Sequence, residues 1–278
     1  MNDWIIGNLQ NALDNWNGKL AELWELITAS PETFKGGGVW NSIVTVHNGL
    51  VGVGYALLVL FFAMGVFQNA AGFRELQRPE FAIRHFVRFA AAKVAVGYSM
   101  EIMTAIFKIC GGIVQNVMGS IGAASAASVS LPSEISTAVQ GVGLLGSIPL
   151  WLVSLLGSLF ITVMSFILIL TVYSRFFKIY MFTALAPLPL ASFAGEGQSQ
   201  IGKGFLRSYL AVCMEGAVIV LACLIFTGFT ASGTPVVDAS DPAVTMVWKD
   251  IGETIFNMLV LVGLVRGSDR IAREMFGL

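Results

Sequence analysis

Charge is scarce in this chain: Asp, Glu, Lys and Arg make up 12% of 278 residues, against 56% hydrophobic residues. A soluble domain carries about 25% charged residues. So few charges cannot clothe a water-facing surface at this length, which excludes an ordinary soluble globular protein. Nor is there an excess of either sign, since 16 Lys and Arg face 17 Asp and Glu for a formal net charge of −1. A strongly basic field of the kind that attracts nucleic acid is therefore missing from the chain as a whole. Cysteine is sparse too. Cys110, Cys213 and Cys223 each lie in an apolar run and form no CxxC pair, so they read as small buried hydrophobes and no disulfide is expected. The two histidines, His47 and His85, have no partner at metal-ligand spacing, and no metal site is expected. There is no Walker lysine, no GxSxG elbow and no HExxH. Gly49, Gly52 and Gly54 sit in an apolar stretch where a phosphate has no place. No catalytic constellation emerges, and an enzyme is not expected. The opening MNDWIIGNLQ has neither a basic n-region nor a clean apolar h-region, so no cleaved signal peptide is expected.

What the chain has in abundance is long apolar runs. No charge occurs between Lys35 and Arg74 or between Glu134 and Arg175, and a spanning helix needs about 20 apolar residues. Mean hydropathy is +0.78. Spans are expected near 43–67, 92–118, 149–173, 208–230 and 250–265. Residues 179–194 (IYMFTALAPLPLASFA) are also apolar but short, and Pro187 and Pro189 break the helix near its middle. The expected fold is an all-α polytopic transmembrane bundle of about five spans.

Orientation is read from the basic residues, which concentrate on the cytoplasmic side of membrane proteins. Eleven of the 16 lie in three segments, Arg74 to Arg88, Arg175 to Arg207 and Arg266 to Arg273. All three are placed in the cytoplasm, with the N-terminus outside and the C-terminus inside. Residues 179–194 must then enter and leave on one side as a re-entrant hairpin packed against protein. A true sixth span is the competing arrangement; it puts Arg175 and Lys178 on the opposite side from Lys203 and Arg207.

Ahead of the first span, Ile5, Leu9, Ala12, Leu13, Trp16, Leu20, Leu23 and Ile27 share one face of a helix over residues 3–28, opposite Asn8, Asn11, Asp14, Glu22 and Glu25. Such a helix suits the membrane surface or a docking partner. Gly36-Gly37-Gly38 comes next as a joint. Two domains are expected, 1–38 with extracytoplasmic amphipathic helices and the joint, and 39–278 with the transmembrane helices and basic cytoplasmic loops.

Several polar residues fall inside apolar segments. Lys93, Gly97, Glu101, Thr104, Lys108 and Gly111 lie within about 80° on one helical face. An intramembrane charge costs at least ~2.5 kcal/mol at the bilayer centre, so this stripe must face protein or water. Glu215, Asp250 and Glu253 are the available counter-ions. Interhelical or intersubunit pairing is the expected role for Lys93, Glu101, Lys108 and Glu215, with snorkelling to the cytoplasmic surface a further role open to Lys93 and an ion path as the alternative. Asp250 and Glu253 read as caps at a helix N-terminus. Ser147, Ser154, Ser158 and Ser165 fall within about 40° of each other and form a small-residue packing seam, within the chain or between copies.

Four features together carry a resemblance: the outside-N, inside-C five-span arrangement; the Arg-rich loop FRELQRPEFAIRHFVRFAAAKVAVGY; the run YSRFFKIYMFTALAPLPLASFAGEGQSQIGKGFLRSYLAVCMEG; and the amphipathic N-terminal helix. Over most of residues 40–265 the chain resembles the TrbL-type polytopic inner-membrane component of conjugative type IV secretion systems, in the compact form of Gram-positive conjugative elements. The long soluble C-terminal extension of some relatives is not expected here. The resemblance implies a translocation channel or platform, built as a homo-oligomeric ring with five as the favoured number. It implies secretion ATPases and a coupling protein as cytoplasmic partners, conduit proteins outside, and single-stranded DNA with its relaxase as cargo. On that reading Arg74, Arg78, Arg84, Arg88, Arg175, Lys178, Lys203 and Arg207 are cytoplasmic contacts. The Arg74–Arg88 stretch can meet phosphate electrostatically, and anionic lipid explains the same charges. No cofactor is expected beyond bound phospholipid. A secondary transporter or channel using Lys93, Glu101 and Glu215 is the alternative function.

Overall fold

The computed structural model describes residues 1–70, 79–120, 129–231 and 241–278. Among these the chain is all helical, with nine α-helices, two short 3-10 turns and no strand. The helices are α1 (Asn2–Thr28), α2 (Gly38–Ala70), α3 (Pro79–Gly97), α4 (Ser99–Ser120), α5 (Ser133–Gln140), α6 (Leu144–Leu185), α7 (Pro187–Leu190), α8 (Ser199–Ala231) and α9 (Ala243–Met275). The 3-10 turns are Phe34–Gly37 and Ala191–Ala194. Arg74 and Arg78 lie outside the described residues.

Five stretches are long and apolar enough to cross a membrane: Phe34–Gln68, Ser99–Gly119, Gly146–Leu185, Ser199–Phe229 and Ala243–Met275. The chain is a multi-pass membrane protein. Leu152, Leu156, Leu159, Phe160, Phe166 and Leu170 of α6 are exposed, an apolar face that only lipid or another protein can cover. Three boundaries differ from the sequence expectation. The 92–118 segment is divided at Tyr98 into α3 and α4, so Lys93 and Glu101 do not share a helix. Helix α6 does not stop near residue 173 but runs on through Arg175 and Lys178 to Leu185. Helix α9 begins at Ala243, so Asp250 and Glu253 sit two turns inside it and cap nothing.

The described chain forms two compact units, each assembled from separated stretches. The first comprises Met1–Thr28, Val114–Ser174 and Ala217–Ser268. In it, the eight apolar residues on one face of α1 are the eight that become buried. Ile5 and Leu9 join Ile135 and Val139 of α5, Leu150 of α6, and Val247 and Ile251 of α9 in one core. The face that suited a membrane surface or a partner is thus covered by the protein itself. The polar edge of α1 is anchored along α6. Asn2 donates to the Val142 carbonyl at 2.9 Å and accepts from Ser147 Oγ at 2.7 Å. Asn8 donates to the Ser154 carbonyl at 3.2 Å and to Ser158 Oγ at 2.8 Å. Further along, Tyr173 donates to Glu22 at 2.7 Å. Helix α1 therefore runs parallel to α6, with the serine stripe at their seam; Ser165, also buried, bonds to the Ile161 carbonyl of its own helix. Gly157 brings α9 close, since a Cβ there would meet the Ile251 side chain at 2.8 Å.

The second unit comprises Ala29–Ile113, Arg175–Gly216 and Asp269–Leu278. Its core holds Leu58 of α2, Ala92 and Val96 of α3, Met103, Phe107 and Cys110 of α4, Ile179 of α6, Leu190 of α7, and Tyr209, Val212 and Cys213 of α8. The path from α6 through α7 can be traced against α2. Trp40 lies beside Tyr180, His47 binds the Thr183 carbonyl, and Gly54 receives Pro187, whose oxygen would be 2.9 Å from a Cβ. Further down, Gly65 meets Gly195, and Gln68 meets Gly197. Residues 180–197 therefore accompany α2 from one end of its apolar stretch to the other. A re-entrant hairpin would return to the end it entered, and this segment does not. The two prolines interrupt the helix without reversing it, because α7 and the 3-10 turn after it continue down the groove between α2 and α3.

The same unit sets residues from both sides of the orientation expectation next to one another. That expectation set Lys35 outside and Arg175, Lys178 and Arg266 to Arg273 inside, across a hydrocarbon core about 30 Å thick. Yet Phe34 stacks on Phe176 with ring centroids 4.1 Å apart, Tyr180 donates to the Pro31 carbonyl at 2.9 Å, and Lys178 pairs with Asp269 at 2.9 Å. Residues 31–34, 176–180 and 269 share one end of the unit. The Gly195–Gln198 turn that leads to Lys203 is at the other.

Candidate functional site

The second unit buries charges at the end it shares with Phe34. Arg175 is 1% exposed. Its Nε donates to the Val212 carbonyl at 3.3 Å and its Nη2 to the Cys213 carbonyl at 3.2 Å, both on α8. The rings of Phe107 and Phe176 lie 5.8 and 6.0 Å from the guanidinium carbon, within cation–π range. Gly216 makes the slot: a Cβ there would lie 2.7 Å from Nη1. A neighbouring carboxylate, Glu215, is also 1% exposed, and neither of its oxygens has a hydrogen-bond partner. Lys178 Nζ stands 3.6 Å from it and 2.9 Å from Asp269, which in turn takes Arg273 at 3.3 Å. A run of alternating charge, Glu215, Lys178, Asp269 and Arg273, thus leads from the buried interior outwards. Removing one partner of a buried ion pair typically costs about 3–5 kcal/mol, because the other charge is stranded.

A second polar node lies deeper, at the proline break. Pro187 has no N–H, so it cannot bond to the carbonyl four residues back, at Thr183. His47 of α2 supplies the missing donor, its Nδ1 lying 2.7 Å from that oxygen. The remaining backbone donor there, Ala186 N–H, reaches it only at 3.4 Å. Across the ring, Nε2 lies 3.0 Å from Ser99 Oγ, which donates to the Val96 carbonyl at 2.7 Å. Gly97 and Ser99 flank Tyr98, where α3 gives way to α4. Gly97 also admits Tyr55, whose hydroxyl would be 2.8 Å from a Cβ. One buried histidine therefore ties the break in α6–α7 to the junction of α3 and α4.

The expected site residues are distributed differently from the sequence reading. Lys93 and Glu101 are exposed. Lys108 is exposed and 3.8 Å from Glu32. Among the described residues no hydrogen bond or ion pair joins Lys93, Glu101 and Glu215. Arg175 and Lys178, expected as cytoplasmic contacts, take part in the charge cluster around Glu215. Lys203, Arg207 and Arg84 are exposed, and Arg88 lies 3.3 Å from Glu196, which also faces the buried His85 at 3.8 Å. Sequence reasoning missed His47, Gly216 and Asp269. The signal for His47 was Pro187, which orphans a carbonyl; nothing along the chain said which donor would reach it.

Compared with known proteins, residues 16–187 match the family described as TrbL/VirB6 plasmid conjugal transfer like protein. The match ends at the proline break and leaves out α8 and α9, and with them Glu215 and Asp269. No curated protein and no solved structure matches the chain. The matched span exceeds half of the 278 residues, and the chain belongs to the TrbL/VirB6 plasmid conjugal transfer family.

Proposed function

We propose that this chain is a channel or platform subunit of a conjugative type IV secretion system, present as a homo-oligomeric ring that helps move DNA and its bound protein across the cytoplasmic membrane. The observation that carries this reading is membership of the conjugal transfer family over residues 16–187 in a multi-pass membrane protein. The second unit provides a scaffold for it. Four stretches, α2 and the 180–194 path in one direction and α3–α4 and the first half of α8 in the other, share one core. The end carrying Arg84, Arg88 and Lys203 faces the cytoplasm, where the secretion ATPases and coupling protein dock. The end carrying Arg175, Lys178 and Asp269 faces outwards, towards conduit proteins. Five copies is the number the family resemblance favours.

The transporter alternative rests on Lys93, Glu101 and Glu215 and on the break at Pro187 and Pro189; the exposure of Lys93 and Glu101 favours the secretion reading over it. The test uses a donor strain whose conjugative element lacks this gene. Mating frequency should fall to background and return with a wild-type copy. The protein purified into nanodiscs should form a closed ring by cryo-electron microscopy. Undiminished transfer, or a monomer that takes up a solute by itself, would overturn the proposal.

A further inference from the structure

Helix α3 sorts its side chains into three arcs. His85, Ala92 and Val96 are buried, while Ile83, Phe86, Val87 and Val94 are exposed. Between these arcs run Arg84, Arg88, Ala91 and Ala95, within about 60° of one another. There the surface is hollowed into a groove of about 460 Å3, lined by Arg84, Val87, Arg88, Ala91, Ala92, Ala95 and Phe193. Its chemistry changes along its length. Two guanidinium groups mark one end, and a floor of alanines under the Phe193 ring forms the rest. From Arg84 to Ala95 is roughly 16 Å along a helix, close to half of a hydrocarbon core about 30 Å thick. The groove is therefore about as long as one leaflet is thick, polar at one end and apolar along the rest.

Arg84 is exposed beside Arg88, which lies 3.3 Å from the half-exposed Glu196, so two guanidinium groups stand together at the polar end of the groove. Guanidinium groups take phosphate oxygens bidentately, and the flanking arc of Ile83, Phe86 and Val87 already requires lipid or protein over it. We propose that this groove holds one anionic phospholipid, its phosphate on Arg84 and Arg88 and an acyl chain laid over Ala91, Ala92 and Ala95 against Phe193. The assignment concerns a binding site and stands apart from the secretion role.

The full-length protein in detergent is titrated with phosphatidylglycerol or phosphatidylcholine, and bound lipid is counted by native mass spectrometry. Wild type should take up one phosphatidylglycerol per chain in preference to phosphatidylcholine. The R84Q/R88Q variant should bind phosphatidylglycerol about thirtyfold more weakly, from roughly one kcal/mol per arginine at a lipid surface. The A91F/A95F variant keeps both charges and fills the groove. It should lose the same site while its melting temperature stays near wild type, since Ala91 is exposed and Ala95 half-buried. Equal binding of the two lipids, or binding indifferent to both variants, would overturn the proposal. So would R84Q/R88Q losing affinity for a single-stranded oligonucleotide while keeping that for phosphatidylglycerol, which would reassign the arginines to nucleic acid.

Discussion

Single residues in the second unit compensate for what neighbouring residues cannot do. Pro187 removes a donor and His47 replaces it, in keeping with the rule that backbone groups freed by a membrane proline must be satisfied from elsewhere. Gly216 has no side chain, and Arg175 occupies the space. The first relation can be tested by a double-mutant cycle. His47→Ala should destabilise the protein by about 1–3 kcal/mol, the cost of leaving a buried carbonyl unpaired. Pro187→Ala restores a peptide N–H within reach of Thr183, so His47→Ala made in that background should cost clearly less. Thermal melts of the detergent-solubilised protein report both effects. Equal losses in the two backgrounds would show that His47 acts only by filling space. The sequence made Pro187 conspicuous and left His47 looking isolated, because His47 and the Thr183 carbonyl it serves are separated by 136 residues.

Among the elements, α1 was the most legible. Its eight-residue apolar stripe at helical spacing became its buried face without exception. What periodicity could not supply was the identity of the surface that covers it, which proved to be α5, α6 and α9. Asn8 should matter to that docking and its neighbour Asn11, which is exposed, should not. Asn8→Ala loses hydrogen bonds to Ser154 and Ser158, and should lower the opening free energy of α1 amides in hydrogen exchange by about 1–2 kcal/mol. Asn11→Ala should leave those amides at wild-type protection, and similar losses in the two variants would point to helix propensity instead of docking. Helices α3 and α4 were less legible. Their combined apolar pattern reads as one segment, and the break at Tyr98 is set by Gly97, Ser99 and the approach of Tyr55 and His47 from α2.

At the scale of the molecule, the basic residues mark the two ends of the second unit. Counting Lys and Arg put three basic segments on one side, whereas the second unit separates Arg175, Lys178 and Arg273 from Arg84, Arg88 and Lys203 along the length of α2. Single cysteines at Lys203 and Arg270, introduced into a variant without the buried native cysteines, make this measurable in intact cells. A membrane-impermeant maleimide should label the Arg270→Cys protein and reach the Lys203→Cys protein only after permeabilisation. Equal behaviour at the two positions would restore the one-sided arrangement and with it the re-entrant hairpin. Arg175 and Lys178 are engaged by helix carbonyls, aromatic rings, Glu215 and Asp269. A charge satisfied by protein no longer needs the cytoplasmic surface.

The sequence by itself determined that this protein lives in a membrane, that it is helical, and which face of α1 is buried. Those properties come from scarce charge, apolar runs of spanning length and residue periodicity, all of which are local along the chain. It also carried the family, through a pattern spread over residues 16–187. Tertiary structure alone decided which polar groups meet, because burying a charge or a carbonyl is tolerable only beside a partner, and the partners here come from helices far apart in sequence. It decided, too, that the proline-broken segment continues along α2. Pro187 and Pro189 ended a helix, and the packing of Pro187 against Gly54 set the direction the chain takes beyond them.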